Sequence, residues 1–386
     1  MLWVVTRSFT VRSMRSVSAV VFWQPNISHH MVPLLRQLTE HYHVTLCVLE
    51  RISERRKVMG WAEPDTTGIV IELVPVEGPE LLFEKYHSDS TVHVFSGTSG
   101  YPLLWRAFKK GVQLNAKLGF QAETRNWQGF SGLLRLIHSR WEATRIRGSV
   151  SFILAMGDRG VAWYRRVGYN PGCIFDWAYF TQPPDYPERV RQDSTRLKIL
   201  YAGRFSEEKG VVPLIETLRS NLDLPIELHL AGGGPQQDRV LNIIDGQSGF
   251  IFHGMLEMKA VASLLAEMDY LVVPSTGKDG WAAVVNEALS VGTPCLVSRN
   301  AGAASLIVSE RLGHTYDPAQ RGALIRLLRI ISKTHCGWNL NERQWIKEQA
   351  QKISPQSGAT YLKEIIEHIF LGGQRPNAPW KSIKSY

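Results

Sequence analysis

Short apolar runs recur along the chain, each followed by a polar break and then by a stretch with helical spacing. Val17–Phe22 is the first run, broken at Gln24-Pro25, and His30–Thr39 follows with helical spacing. Val44–Leu49, Ile69–Val74 and Thr91–Phe95 read as further strands, Leu103–Leu118 as a helix, and Ser151–Ala155 as a strand running into Met156-Gly157. The texture then changes. Pro171 to Arg191 holds Pro171, Pro183, Pro184 and Pro187, as a linker would. After it the rhythm restarts, with strands at Leu197–Tyr201, Ile226–Leu230, Phe250–Phe252, Tyr270–Val273 and Pro294–Val297. Helices are expected between them at Gly210–Leu218, Lys259–Glu267 and Ala282–Leu289. Strands alternating with helices predict βαβ units and parallel sheets. Two such domains in succession predict a ligand cleft at the carboxyl ends of their strands. A last helix, Ser357–Phe370, places Tyr361, Leu362, Ile365, Ile366 and Ile369 on one side.

Composition fits this picture. The 386 residues suffice for two domains, and 44% hydrophobic with 20% charged residues excludes a disordered chain. No apolar run reaches the length of a membrane span, so none is expected. Cys47, Cys173, Cys295 and Cys336 are far apart and show no C-x-x-C pair, which argues against a metal site or disulfide framework and for a reducing compartment. Met1 to Arg15 has three arginines and no acid; an upstream start ahead of Met14 is preferred to a transit peptide.

The net charge of +9 is unevenly spread. From Tyr101 to Val150 stand Arg106, Lys109, Lys110, Lys117, Arg125, Arg135, Arg140, Arg145 and Arg147, opposed only by Glu123 and Glu142. Such a patch attracts anions. No nucleic-acid-binding motif accompanies it, so nucleic acid is not expected as a partner. The apolar residues among the cations, in Leu133–Ile137, Trp141 and Ile146, suit a helix resting on an anionic membrane surface. An ordinary solvated helix with a core face is the alternative.

Three strand-end loops of the second half carry candidate chemistry. In the first, Gly203 permits a tight turn, and Arg204 and Lys209 offer a fork and a point charge suited to a diphosphate. The second, Ala231-Gly232-Gly233-Gly234-Pro235, allows close backbone approach but is not G-x-G-x-x-G, which disfavours a dinucleotide oxidoreductase. The third runs from Pro274 through Asp279, Gly280, Trp281, Ala282 and Ala283 into a helix bearing Glu287. Its helix start can receive a phosphate, and its carboxylates can accept from sugar and ribose hydroxyls. Glu287 lies among Val284, Val285, Ala288 and Leu289, where a carboxylate needs a partner or a ligand.

From Gly203 to Asp317 the chain resembles the donor-binding domain of glycosyltransferase family 4. The resemblance rests on Gly203, Arg204, Lys209 and Gly210; Gly232, Gly234 and Pro235; Phe252 and Gly254; Pro274 and Ser275; Asp279, Gly280, Trp281 and Glu287; and Ala288, Gly292, Thr293 and Pro294, in order. It implies the GT-B fold, an α/β architecture of two Rossmann-like doubly wound domains facing a cleft. Its acceptor domain would span 14–185 and its donor domain 193–345, with 346–372 crossing back to the first domain. It implies that Arg204 and Lys209 bind the donor diphosphate and that Gly280, Trp281, Ala282 and Ala283 present amides to sugar and phosphate. Glu287 would hold ribose hydroxyls and Asp279 the transferred sugar, with Phe252, His253 and Gly254 beside the base and Gly203, Gly232, Gly233 and Gly234 turning near the donor. No obligatory metal or other cofactor is implied; the co-substrate is a nucleotide-diphospho-sugar, a UDP-sugar ahead of a GDP-sugar.

The implied activity is transfer, with retention, to a glycan or lipid-linked acceptor, in surface polysaccharide biosynthesis, by a cytoplasmic protein peripheral at the inner face of the cell membrane. Two departures bear on it: Asp279 stands where the family usually has Glu, and Asn300-Ala301-Gly302-Ala303-Ala304 where many members carry Gly-Gly and then Glu. On the acceptor side, Asn26, Ser28, His29 and His30 follow the first strand, and a histidine there can bind or deprotonate an acceptor. Capping of the next helix by Asn26 or Ser28 is the structural alternative. Glu123 is a further acceptor candidate, against a local ion pair with Arg125. Rival readings are a nucleotide-sugar 2-epimerase on the same fold and a non-catalytic sugar-nucleotide-binding or scaffold protein.

Overall fold

A computed structural model describes residues 16–52, 63–97, 100–123, 129–186, 195–277, 279–334 and 337–382. The segment Met1 to Arg15, Arg125, Pro187, Lys278 and Cys336 lie outside the described residues.

The first sheet contains β1 (Ala19–Asn26), β2 (His43–Glu50), β3 (Val70–Leu73), β4 (Thr91–Ser96), β5 (Lys117–Ala122), β6 (Val150–Met156) and β7 (Ile174–Trp177), in the order β3-β2-β1-β4-β5-β6-β7. The second contains β8 (Leu197–Ala202), β9 (Ile226–Ala231), β10 (Phe250–Gly254), β11 (Tyr270–Val273), β12 (Cys295–Ser298) and β13 (Gly313–Tyr316), in the order β10-β9-β8-β11-β12-β13. Their neighbouring strands pair in parallel. Helices cover both faces, so consecutive residues of a central strand are buried on both sides: Val20, Val21, Phe22 and Trp23 of β1 are all buried. Each sheet reverses its strand order once, between β1 and β4 and between β8 and β11. Ligands gather at such reversals, beyond the carboxyl ends of the strands.

Twelve helices are described: α1 (Val32–Leu38), α2 (Pro79–Tyr86), α3 (Pro102–Gln113), α4 (Gly129–Ile146), α5 (Gly157–Val167), α6 (Val211–Arg219), α7 (Gln237–Ile244), α8 (Met258–Glu267), α9 (Val284–Ser290), α10 (Ala323–Thr334), α11 (Leu340–Ala350) and α12 (Pro355–Leu371). Ser354 caps α12 through the Ser357 amide, Pro355 opens it, and Gly372 ends it in a left-handed conformation. Its apolar side, Tyr361, Leu362, Ile365 and Ile366, belongs to one buried cluster with Leu34 and Leu35 of α1, Trp177 of β7, and Val285 of α9. The Tyr361 hydroxyl donates to the Asp176 carbonyl oxygen at 3.1 Å. The two sheets therefore share a core.

Several sequence expectations are corrected here. β1 continues through Pro25 to Asn26; beyond Trp23 only β2 pairs with it, and proline is tolerated where a strand has an open side. The helix expected over Leu103–Leu118 ends at Gln113, and Lys117 opens β5. Lys117, Gly119 and Gln121 interrupt its apolar pattern. β7 lies inside the proline-marked linker and completes the first sheet. The helix at Pro79–Tyr86 was not expected, and it changes the basic stretch. Glu80 of α2 accepts from Arg106 at 2.8 Å, and Glu84 pairs with Lys110, so two of those cations are neutralised by neighbours outside the stretch.

Candidate active site

The loop after β8 turns at Gly203, passes Arg204, and makes a short 3-10 turn at Glu207–Lys209 before Gly210 starts α6. Gly210 has φ +72° and sits so near the loop after β11 that a Cβ there would lie 2.1 Å from the Pro274 carbonyl oxygen. The two loops are thus in backbone contact, and the contact brings their charged residues together. Lys209 Nζ lies 2.6 Å from Asp279 Oδ1, and Ser275 Oγ donates to Asp279 Oδ2 at 2.6 Å. Asp279 is buried, with 5% of its side chain exposed, whereas Lys209 is 30% exposed.

Arg204 is exposed, and among the described residues its guanidinium makes no hydrogen bond. Its carbonyl oxygen accepts from the Tyr201 hydroxyl at 2.7 Å, which fixes the backbone below the side chain. The glycine turn after β9 laces to the same loop: the Phe205 amide donates to Gly233 O at 2.8 Å, and Gln236 N to Phe205 O at 3.0 Å. The Glu208 carboxyl is held below its usual range by its own amide and the Ser206 hydroxyl, with Arg204 and Lys209 adding to the effect.

The segment from Gly280 to Ala283 leads into α9. Ala282 has φ +69°, a strained conformation for a residue with a side chain, costing about 1 kcal/mol. The strain is held from below by the altered loop after β12: Gly302 N donates to Gly280 O and Ala303 N to Trp281 O, both at 2.9 Å. That loop is in turn anchored to the first domain, where Arg159 of α5 donates to Asn300 O and Oδ1 at 3.0 Å. Glu287 lies on α9, half-buried, and burial raises its carboxyl above the usual range. Among the described residues, its carboxylate makes no hydrogen bond.

Across the cleft, Glu123 follows β5 and approaches the Gly280 backbone. A Cβ on Gly280 would lie 2.2 Å from Glu123 Oε2, so a larger residue there would push the Glu123 carboxylate aside. Tyr179, just past β7, donates from its hydroxyl to Glu123 Oε1 at 3.0 Å. The Glu123 carboxyl is raised, first by the loss of water around it and then by the nearby Asp279 charge; the Tyr179 hydrogen bond and Lys209 act the other way. Solvent still reaches it from the cleft.

Tyr179 is the hub of this contact. Its ring stacks on His30 at 5.2 Å and tilts against Trp281 at 5.8 Å. Its carbonyl oxygen accepts from Asn286 Nδ2 at 2.7 Å, and Asn286 Oδ1 accepts from Trp281 Nε1 at 2.7 Å.

Of the residues singled out in the sequence, Lys209, Asp279, Gly280, Trp281, Glu123 and His30 belong to one contiguous network. Ser28 does not cap α1; its Oγ accepts from the His30 amide at 3.3 Å, and the position preceding the helix is Met31. Asn26 and His29 lie on the same strand-end turn. Glu123 accepts from Tyr179, and Arg125 lies outside the described residues.

Phe252, His253 and Gly254 end β10 at the outer edge of the second sheet. Phe252 faces Phe205 at 6.0 Å, and the Gly232 amide donates to Gly254 O at 2.7 Å. His253 Nε2 lies 2.9 Å from His229 Nδ1, whose Nε2 is 2.8 Å from Glu227 Oε1. Sequence reasoning named Ser275 only as part of a motif, without its bond to Asp279, and it missed Tyr179, Asn286 and Arg159. Tyr179 stood in a segment read as linker, and the others carry no signal until both domains are in place. Among the described residues no cluster of His, Cys, Asp and Glu could hold a metal ion.

Residues 184–353 match the family described as Glycosyl transferases group 1. Over 132 residues the chain is 33% identical to the GDP-mannose-dependent alpha-(1-6)-phosphatidylinositol dimannoside mannosyltransferase of Mycobacterium tuberculosis, covering 32% of this chain and 33% of that protein. The match thus spans about a third of the length of the curated relative. In fold, the chain is similar to HepE of Anabaena, solved with UDP (TM-score 0.64, 12% identity, 91% of this chain and 100% of that one). It is likewise similar to the lipopolysaccharide outer core galactosyltransferase WaaB (TM-score 0.65, 14% identity, 91% and 99%). The architecture is the two-domain GT-B fold.

Proposed function

We propose, from a second domain of the glycosyl transferases group 1 family set in a GT-B fold, that this chain transfers a glycosyl group from a nucleotide-diphospho-sugar to a glycan or lipid-linked acceptor. The observation that carries the reading is the pairing of Lys209 with Asp279 across two touching strand-end loops, with Arg204 on the first of them and Glu123 facing them from the other domain. Two cations suit a diphosphate, and the carboxylates suit neutral hydroxyls.

In this reading Arg204 and Lys209 neutralise the diphosphate, with the amides of Gly280 to Ala283 beside it. The phosphate competes with Asp279 for Lys209, which frees the carboxylate to accept from a hydroxyl of the transferred sugar. Glu287 takes the ribose hydroxyls, and the base lies toward Phe252, His253 and Gly254. The bond from the anomeric carbon to the diphosphate oxygen breaks as the acceptor oxygen bonds to the same face. The acceptor proton passes to the departing diphosphate, and configuration is retained. Glu123 and His30 hold the acceptor hydroxyl, with Asn26, Ser28 and His29 lining the turn beside them.

A thermal-shift screen with UDP- and GDP-sugars tests donor binding. A ligand at a hundredfold excess over its dissociation constant should stabilise the fold by about 2.7 kcal/mol. An acceptor-dependent release of UDP or GDP completes the case. Silence toward every nucleotide sugar overturns the reading, and a change in the donor sugar without acceptor identifies an epimerase instead.

A further inference from the structure

We infer that α4 is a membrane-docking helix, lying in the interface of an anionic bilayer on the face turned away from its own domain. The helix is apolar on two opposite sides. At about 100° per residue, buried Leu136, Ala143 and Ile146 cluster on one side and pack into the core of the first domain. Phe130, Leu133, Leu134, Ile137 and Trp141 fall within an arc of about 100° centred opposite them. All five are exposed, at 77%, 51%, 52%, 57% and 53%. An ordinary surface helix has one apolar side, and the domain already covers it.

Charge decides the occupant. Arg140 borders the exposed stripe on one side and Arg145 on the other, by the same helical count. The Arg145 guanidinium lies 3.4 Å from the centroid of the Trp141 ring, so cation and aromatic form one amphipathic unit of the kind that sits at headgroup level. The one acid of the helix, Glu142, is buried on the inner side. An apolar stripe about 17 Å long, one helix wide and edged by arginines, matches a bilayer of anionic lipids. A second copy would set the arginines of two identical stripes near one another. The position also suits the cleft: β5 ends at Ala122, Glu123 faces Gly280, and the chain enters α4 at Gly129.

The inference does not rest on the transferase reading, because it is tested without donor. Full-length protein is sedimented with phosphatidylglycerol–phosphatidylcholine vesicles and with pure phosphatidylcholine vesicles. Binding is expected to the first, to weaken with salt, and to fall at least about tenfold in Leu134→Ser/Trp141→Ser and in Arg140→Gln/Arg145→Gln. These side chains are exposed, so the thermal midpoint should stay near that of the parent, which the same samples report. No binding to anionic vesicles at low salt, or equal binding by the variants, overturns the inference. So does a dimer in sedimentation equilibrium that Leu134→Ser/Trp141→Ser abolishes, which assigns the stripe to a second copy.

Discussion

The two walls of the cleft are built from the same architecture and differ in chemistry. The second-domain wall is ionic: Arg204, Lys209 and Asp279 stand on loops stitched together by backbone contacts at Gly210 and Pro274, and Glu287 stands on the helix α9 that follows. The first-domain wall is mostly aromatic: His30 stacks on Tyr179, and among the described residues Glu123 is the acid in the contact. A diphosphate has fixed charge and geometry, so the wall proposed to hold it needs particular residues at particular spacings. A wall for a variable hydroxylic acceptor needs only shape and a few polar atoms.

The largest expected effect breaks this contrast at its centre. Lys209→Met removes the cation from buried Asp279 and leaves it, among the described residues, the Ser275 hydroxyl. Transfer should fall by about a hundredfold or more, as when a preorganised charge is taken from a leaving group. Stability should fall by about 1–3 kcal/mol, less than for a fully buried pair because Lys209 still meets water. Initial rates and urea unfolding report the two losses. A variant with normal rates would remove the ionic wall from the chemistry.

A smaller effect follows from pushing the walls apart. Gly280→Ala places a methyl against Glu123 and should lower the rate about tenfold. Glu123→Ala should recover part of that loss in the double variant, because it vacates the space. A double-mutant cycle with no coupling would mean that the two walls do not meet in the working enzyme.

The contrast also explains what the sequence made legible. The strand–helix alternation and the ionic loops could be read because they obey local rules: apolar runs, glycine turns and charged residues at fixed spacing. β5 escaped because Lys117, Gly119 and Gln121 hide its period, and β7 because prolines surround it. The aromatic wall escaped for a different reason. Tyr179 meets Glu123, Asn286 and Trp281 only after both domains fold, at separations of 56 to 107 residues along the chain for its hydrogen bonds. The exposed stripe of α4 was visible as apolar residues among cations, but which of them the core takes depends on helical phase and on the neighbouring domain.

Glu287 sharpens the contrast through pH. Burial raises its carboxyl, so above about 4.5 the folded protein binds more protons than the unfolded chain. Stability therefore falls as pH rises from that value through the raised one. Glu287→Gln should flatten this slope in urea unfolding at stepped pH, and should weaken donor binding about tenfold while leaving acceptor affinity unchanged. An unchanged slope would place the carboxylate in water, and its role as a ligand for hydroxyls would lose its physical basis.

The smallest effect lies on the aromatic wall. Tyr179→Phe keeps the ring that stacks on His30 and Trp281 and deletes the hydroxyl that donates to Glu123. One hydrogen bond of this kind is worth about 0.5–1.5 kcal/mol, so the rate should change about threefold to tenfold. Its direction is informative. The hydroxyl holds the Glu123 carboxyl down, against lost hydration and the Asp279 charge. Without it the carboxyl rises further and is ionised over a narrower range of pH. If Glu123 accepts from an acceptor hydroxyl, the acid limb of the rate profile should move to higher pH in Tyr179→Phe. In Glu123→Gln that limb should vanish, and Tyr179→Phe should then add little. A shifted limb that survives Glu123→Gln would move the titrating group to the ionic wall and leave the first-domain wall with shape alone.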